Sequence, residues 1–279
     1  MRKKLFIAGI VLLMVFGALA YELVWGKLFP FSPVMVGFDC QELSHVTVCM
    51  EHGNPYGAFK WTDDLTAAVE KFHELKFHNK PKLFFFTSDE TYARRSLSKA
   101  RLCAFYNGAI VVSPWVQRED SEGLLSLKVY LTHELSHSLL YQNMGPVRKR
   151  GYPRWLMEGV ATYSANQMGT YLYPSQAETY ASIRAGNWMP PADFETARED
   201  KVPLNVTNRK PFIYTQFASI VADLVAHHGQ DAFIKYLKRL LVDSDHDAVF
   251  RATFGTDFDD YLADFMKRVA SIPGQPETF

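Results

Sequence analysis

His133 and His137 stand four residues apart in LTHELSHSLL, residues 131–140, and Glu134 directly follows the first of them. On a helix, residues four apart lie one above the other on one face, so the two imidazoles converge on one point. A zinc ion takes that geometry from a helix. Glu134 then sits where a carboxylate can reach the water that a metal activates, without ligating the metal, and can accept its proton. A catalytic zinc commonly has three protein ligands and one open position. Glu158, in WLMEGVATY (residues 155–163), is the candidate third ligand, 21 residues after His137. Its neighbours Trp155, Leu156, Val160 and Tyr163 are apolar or aromatic, so this helix packs inward, and a buried carboxylate needs a partner or a metal. The plainer reading is two amphipathic helices with satisfied surface histidines and a glutamate favoured by the helix dipole. Both motifs occurring in one chain weigh against it.

These residues need helices to carry them. Leu127, Val129 or Tyr130, Leu131, Leu135 and Leu139 form an apolar stripe that predicts a helix over residues 124–141. A loop containing Gly145, Pro146, Gly151 and Pro153 separates it from a second helix over 154–168. Upstream, residues 46–50, 82–87 and 109–113 read as strands. Residues 63–76, capped by Thr62 or Asp63, and 88–97, capped by Ser88 or Asp89, read as helices, and residues 53–57 as a turn. After a Pro- and Gly-containing stretch over 173–211 come helical segments at 214–228, 231–241, 248–254 and 258–269. His227 and His228, before Gly229, read as helix C-terminal residues rather than ligands. The expected class is α+β: a small mixed sheet with helices, one of them the active-site helix, then a mostly helical C-terminal lobe.

The 279 residues carry 30 basic and 30 acidic side chains, which excludes a strongly basic nucleic-acid surface. Arg148-Lys149-Arg150 is one short cluster, read as a solvated turn. Arg2, Lys3 and Lys4 precede an uncharged apolar run from Leu5 to Tyr21, a membrane-targeting segment. Two readings stay open. Ala18-Leu19-Ala20 fits a signal-peptide cleavage site, whereas continuation to Trp25 suits an uncleaved anchor, with Glu22 and Trp25 at the interface. In either case the basic residues stay in the cytoplasm and the remainder is exported, tethered or secreted. Residues 28–37 read as a linker. Cys40 and Cys49 form a disulfide or, with Cys103, remain free thiols.

His133-Glu134-Leu135-Ser136-His137, followed by Trp155-Leu156-Met157-Glu158-Gly159-Val160-Ala161-Thr162-Tyr163, resembles the gluzincin metallopeptidases, the group of thermolysin and the aminopeptidase N-like enzymes. The resemblance implies a zincin-like catalytic domain over 38–170 and a helical lobe over 171–279 that completes the cleft. It implies zinc held by His133, His137 and Glu158, with Glu134 as general base and a peptide or protein as substrate. It further implies an edge strand, here Gly108, Ala109 and Ile110, pairing with the substrate backbone; the alternative for residues 107–113 is an internal strand. A tyrosine for the oxyanion is also implied, best matched by Tyr214, with Tyr152 and Tyr163 as rivals. One departure matters. The stretch Tyr106–Val112 has no acidic residue where aminopeptidases of this group hold the substrate amino terminus, so an endopeptidase is expected. The competing class is a catalytically silent binding or scaffold protein at the membrane, which would have no need of Glu134.

Overall fold

The computed structural model describes residues 2–53, 59–144 and 151–272, without the side chains of Arg2 and Leu5. Most of the turn expected at 53–57, the loop residues Gly145 and Pro146, and the cluster Arg148 to Arg150 lie outside the described residues. The chain divides into two compact units. The N-terminal unit comprises Met1–Ala68 and Phe77–Leu127, and the helical unit Val69–Lys76 and Lys128–Phe279.

The N-terminal unit begins with α1 (Arg2–Val24). Its stretch Phe6–Val24 is long and apolar enough to cross a membrane, and none of it is buried in the protein. A five-stranded sheet follows, made of β1 (Phe38–Glu42), β2 (Thr47–Glu51), β3 (Lys82–Phe85), β4 (Leu102–Ala104) and β5 (Ala109–Val112). The strand order is β1-β2-β3-β5-β4. β2, β3 and β5 run parallel, with β1 and β4 antiparallel at the two sides. The sequence reason is visible in the central strands. Leu83 to Phe85 and all four residues of β5 are buried, the continuous apolar run of a strand covered on both faces.

Several expectations change here. β5 is internal: Ala109 and Ile110 register with Lys82 and Leu83 of β3, and Ile110 with Ala104 of β4. Gly108 donates to the Phe105 carbonyl, and its own carbonyl accepts from Lys82 N–H. The main chain at Gly108, Ala109 and Ile110 is therefore committed on both sides, and β4 takes the edge that was assigned to these residues. A strand of three residues such as β4 carries too little pattern to be seen in sequence. Residues 28–37 are not a free linker. Phe29 is 1% exposed and packs against Phe38, Phe84 and Phe86 at 5.1–6.2 Å between ring centroids. Cys40 and Cys49 sit opposite each other in the β1–β2 register and form a disulfide, in which Cys103 takes no part.

After α1, the helices α2 (Trp61–His73), α3 (Asp89–Arg95) and α4 (Pro114–Ser121) also begin in this unit. Ser88 caps α3 as expected, accepting from Thr91 N–H. α2 starts earlier than the anticipated cap at Asp63, whose carboxylate instead accepts from the His45 backbone N–H. α4 was not anticipated, although Ser113-Pro114 is a cap followed by proline in the first helical turn.

The helical unit contains α5 (Leu127–Asn143), α6 (Arg154–Ser164), α7 (Gln176–Arg184), α8 (Arg209–His228), α9 (Gln230–Leu240), α10 (His246–Phe254) and α11 (Phe258–Ser271). α7 falls in the stretch read as irregular. Its signal is the capping box Ser175-Gln176-Ala177-Glu178, whose two reciprocal bonds both form. One apolar core runs through α5, α6 and α8 to α11. The compact units therefore part ahead of α5 rather than at residue 170, because α6 packs directly on α8. Asp223 of α8 accepts from Arg268 and Tyr261 of α11, and His227 Nδ1 donates to the Asp223 carbonyl at the C-terminus of α8.

Candidate metal centre

α5 is apolar along its buried side, with Leu131, Leu135, Leu139 and Leu140 all at 0% exposure. That burial fixes the rotation of the helix, and the i, i+4 spacing then places His133 and His137 together. Their Nε2 atoms stand 2.9 Å apart. From α6, Glu158 Oε2 reaches to 3.3 Å from each. Four donors about 2.0–2.1 Å from a zinc ion at tetrahedral angles are roughly 3.3–3.4 Å apart. The three atoms thus occupy one face of such a tetrahedron to within a few tenths of an ångström. Glu158 Oε2 is shielded from solvent, yet beyond these two contacts at the limit of hydrogen bonding it has no partner. A buried carboxylate oxygen is not left so without cost. His133, His137 and Glu158 form a candidate metal centre. Two imidazoles and one carboxylate in tetrahedral array are a zinc donor set, and the residues fit that ion.

Electrostatics and hydrogen bonding prepare the donors. Burial opposes charge on Glu158, but His137 and His133 outweigh it and hold the carboxyl well below the usual range. Burial likewise opposes charge on His137; Glu158, then Glu134 and Glu195, outweigh it and raise its pKa. His133 Nδ1 lies 2.9 Å from Gln167 Oε1, and Gln167 is 1% exposed. An amide oxygen only accepts, so Nδ1 carries the proton and Nε2 keeps its lone pair for a metal. Gln167, which stands behind His133, was not singled out in the sequence; it lies after the end of α6, outside any motif. His137 Nδ1 is buried with no hydrogen-bond partner, so only one of the two histidines is held from behind in this way.

Behind α5, His73 at the end of α2 is 1% exposed. Its Nδ1 donates to the Val69 carbonyl, and its Nε2 lies 2.9 Å from Ser136 Oγ. Burial lowers its pKa from 6.5 to about 4. Above about pH 6.5 the ring is neutral folded or unfolded. As pH falls from there towards 4, only the unfolded chain takes up the proton, so stability falls with pH. The loss reaches roughly 3 kcal/mol near pH 4. We expect the urea midpoint to drop between pH 7 and pH 4.5 by more in the wild type than in His73→Gln. Equal drops would show that His73 does not carry the acid sensitivity.

Gly159, next to Glu158, marks where α6 meets α8. A Cβ there would stand 2.9 Å from the Phe217 carbonyl oxygen. Gly159→Ala is expected to cost about 1–3 kcal/mol of stability and to weaken metal binding, since α6 must lift and carry Glu158 with it. An unchanged thermal midpoint together with unchanged zinc affinity would show that α6 can shift freely.

The other candidates are placed as follows. Glu134 is half-buried on α5 beside His133. The Tyr214 ring, on α8, lies nearly parallel to that of His133 with centroids 6.0 Å apart. Burial first, then Glu158, push its phenol well above 10, so it is a proton donor at neutral pH. Tyr152 is a core residue with its hydroxyl buried, and Tyr163 packs on Phe72 at 6.1 Å. No family model matches this chain, and no characterised protein matches it in sequence. Two solved structures of an M1 zinc metallopeptidase from Deinococcus radiodurans are similar to it, both of a glutamate-to-alanine variant and one bound to a Tyr-Ser-Ala substrate. The TM-score is 0.48 for each, with 16% and 14% sequence identity over 86% and 85% of this chain. The chain spans about half the length of those structures, 53% in both cases. Likeness of that degree assigns no chemistry, and the reading of the site rests on this chain's own residues.

Proposed function

We propose that this chain is a zinc-dependent metallopeptidase, exported and tethered to a membrane by α1. The observation that supports it most is the convergence of His133 Nε2, His137 Nε2 and an otherwise unpartnered Glu158 Oε2 at tetrahedral spacing. Zinc held there would lower the pKa of water to ~7. Glu134 would accept one proton from the attacking water as the water oxygen adds to the peptide carbonyl carbon. Tyr214, protonated at neutral pH, donates to the oxygen on which negative charge develops. Glu134 then returns the proton to the amide nitrogen, the C–N bond breaks, and a carboxylic acid and an amine leave. A scaffold protein would need the fold, with or without the metal, but not a carboxylate at position 134. We further propose that internal peptide bonds are cut, since residues 106–112 offer no acidic side chain for a substrate amino terminus.

The test is zinc content of the full-length protein, followed by hydrolysis of a peptide library before and after chelation. About one zinc per chain and chelator-sensitive cleavage are expected, with acetylated peptides cut as well as free ones. Zinc without turnover on any peptide would favour the scaffold reading. A strict need for a free amino terminus would replace the internal-bond proposal alone.

A further inference from the structure

The end of α1 is built into the N-terminal unit without slack. Arg95 is 4% exposed, and its Nη2 donates to the Val24 carbonyl at 2.9 Å and the Val36 carbonyl at 2.8 Å. Its guanidinium lies 3.8 Å from the centroid of the buried Phe29 ring. Lys27 Nζ donates to the carbonyls of Ala93 and Ser96, and Asn107 Nδ2 donates to the Pro30 carbonyl. The last residue of the apolar helix is thus one hydrogen bond from the folded core of this unit.

An apolar ring surrounds this junction. Trp25, Val34, Val36, Leu97 and Tyr106 are each 43–58% exposed. Each is tied to the junction by its neighbours or its own contacts. Trp25 follows the clamped Val24, Val34 lies two residues before the clamped Val36, Leu97 follows Ser96, and Tyr106 packs on Phe31 at 5.3 Å. Among the described residues, nine exposed large hydrophobics lie outside α1, and five of them are in this ring. Scattered exposed apolar residues need no explanation, but five of nine gathered about one junction do.

We propose that this ring is a membrane-resting face, on which the N-terminal unit lies against the outer surface of the bilayer that α1 enters. The inference rests on reading α1 as a membrane segment. Its 19-residue span from Phe6 to Val24 covers about 28 Å at 1.5 Å per residue, close to the ~30 Å bilayer core. Val24 then ends at the headgroups. A flexible linker would let the unit stand off; the Arg95 clamp removes that freedom and holds the surrounding surface at the same depth. Trp25 and Tyr106 are residue types that favour the interface, and the exposed cations Arg94 and Lys99 suit lipid phosphates.

The test uses the full-length chain, with Cys103→Ser, in vesicles of phosphatidylcholine and phosphatidylglycerol. Spin labels are placed at Leu97→Cys, Tyr106→Cys and, as an exposed apolar control outside the ring, Leu124→Cys. Collision with oxygen and with a water-soluble nickel complex is then measured. Expected is a severalfold higher oxygen-to-nickel ratio at 97 and 106 than at 124. Labels as water-accessible as the control, on protein that still co-floats with vesicles, would overturn the membrane-resting face while leaving α1 in the bilayer. Protein that does not co-float would overturn the membrane reading itself. Protection lost on lowering the protein-to-lipid ratio would assign the ring to a second copy of the chain and also overturn the proposal.

Discussion

Glu134→Gln is expected to abolish measurable peptide hydrolysis while zinc stays at about one per chain. The substitution keeps the shape of a half-buried side chain on a helix fixed by its leucine face, so α5 and its histidines should not move. What disappears is the capacity to accept a proton and hand it on. A positioned acid–base group contributes about 10²–10⁴ in rate, or roughly 3–5 kcal/mol of barrier. The loss should fall on kcat, with KM little changed, because Gln and Glu occupy the same space towards bound peptide. Retained turnover in a clean preparation would remove Glu134 from the mechanism. Loss of zinc in the variant would mean that Glu134 helps to build the site rather than to move protons.

The second large effect is expected at Glu158. Glu158→Ala removes one of the three proposed ligands, the one that comes from α6 rather than α5. Zinc affinity should fall by more than the roughly 10–100-fold that follows loss of an outer-shell partner such as Gln167. Competition with a chelator of known affinity measures this directly, independently of any substrate. Glu158→Gln serves as the companion variant: it keeps the packing of α6 against α8 but offers a neutral, weaker donor, and its affinity should lie between the two. Wild-type zinc affinity in both variants would show that the contacts of Oε2 with the two imidazoles are incidental to metal binding.

Much of the site was legible in the chain itself, because its key relation is local. Four residues make about one helical turn, so His133, Glu134 and His137 acquire their geometry from the helix alone, and the leucine stripe shows which side of that helix is buried. The helices that carry Glu158 and Tyr214 were visible for the same reason. The central strands β3 and β5 were visible as unbroken apolar runs. Short or polar elements were not: β1 is largely exposed, β4 has three residues, and α7 is signalled only by its cap.

Long-range packing decided the rest. Gln167 finds His133 because of where the turn after α6 lies, not because of any spacing in sequence. The strand carrying Ala109 and Ile110 became internal when β4 paired on its outer side, which no pattern within β5 could announce. Residues 28–37 carry two prolines and read as a spacer, yet the Phe29 ring fills a gap among Phe38, Phe84 and Phe86 and is covered by Arg95. The sequence by itself determined which atoms could bind a metal and which helix would hold two of them. Only the tertiary structure decided what stands behind those atoms, which strand edge is exposed, and how tightly α1 is joined to its unit. Each of those depends on contacts between residues far apart in the chain, whose partners leave no periodic trace in either segment alone.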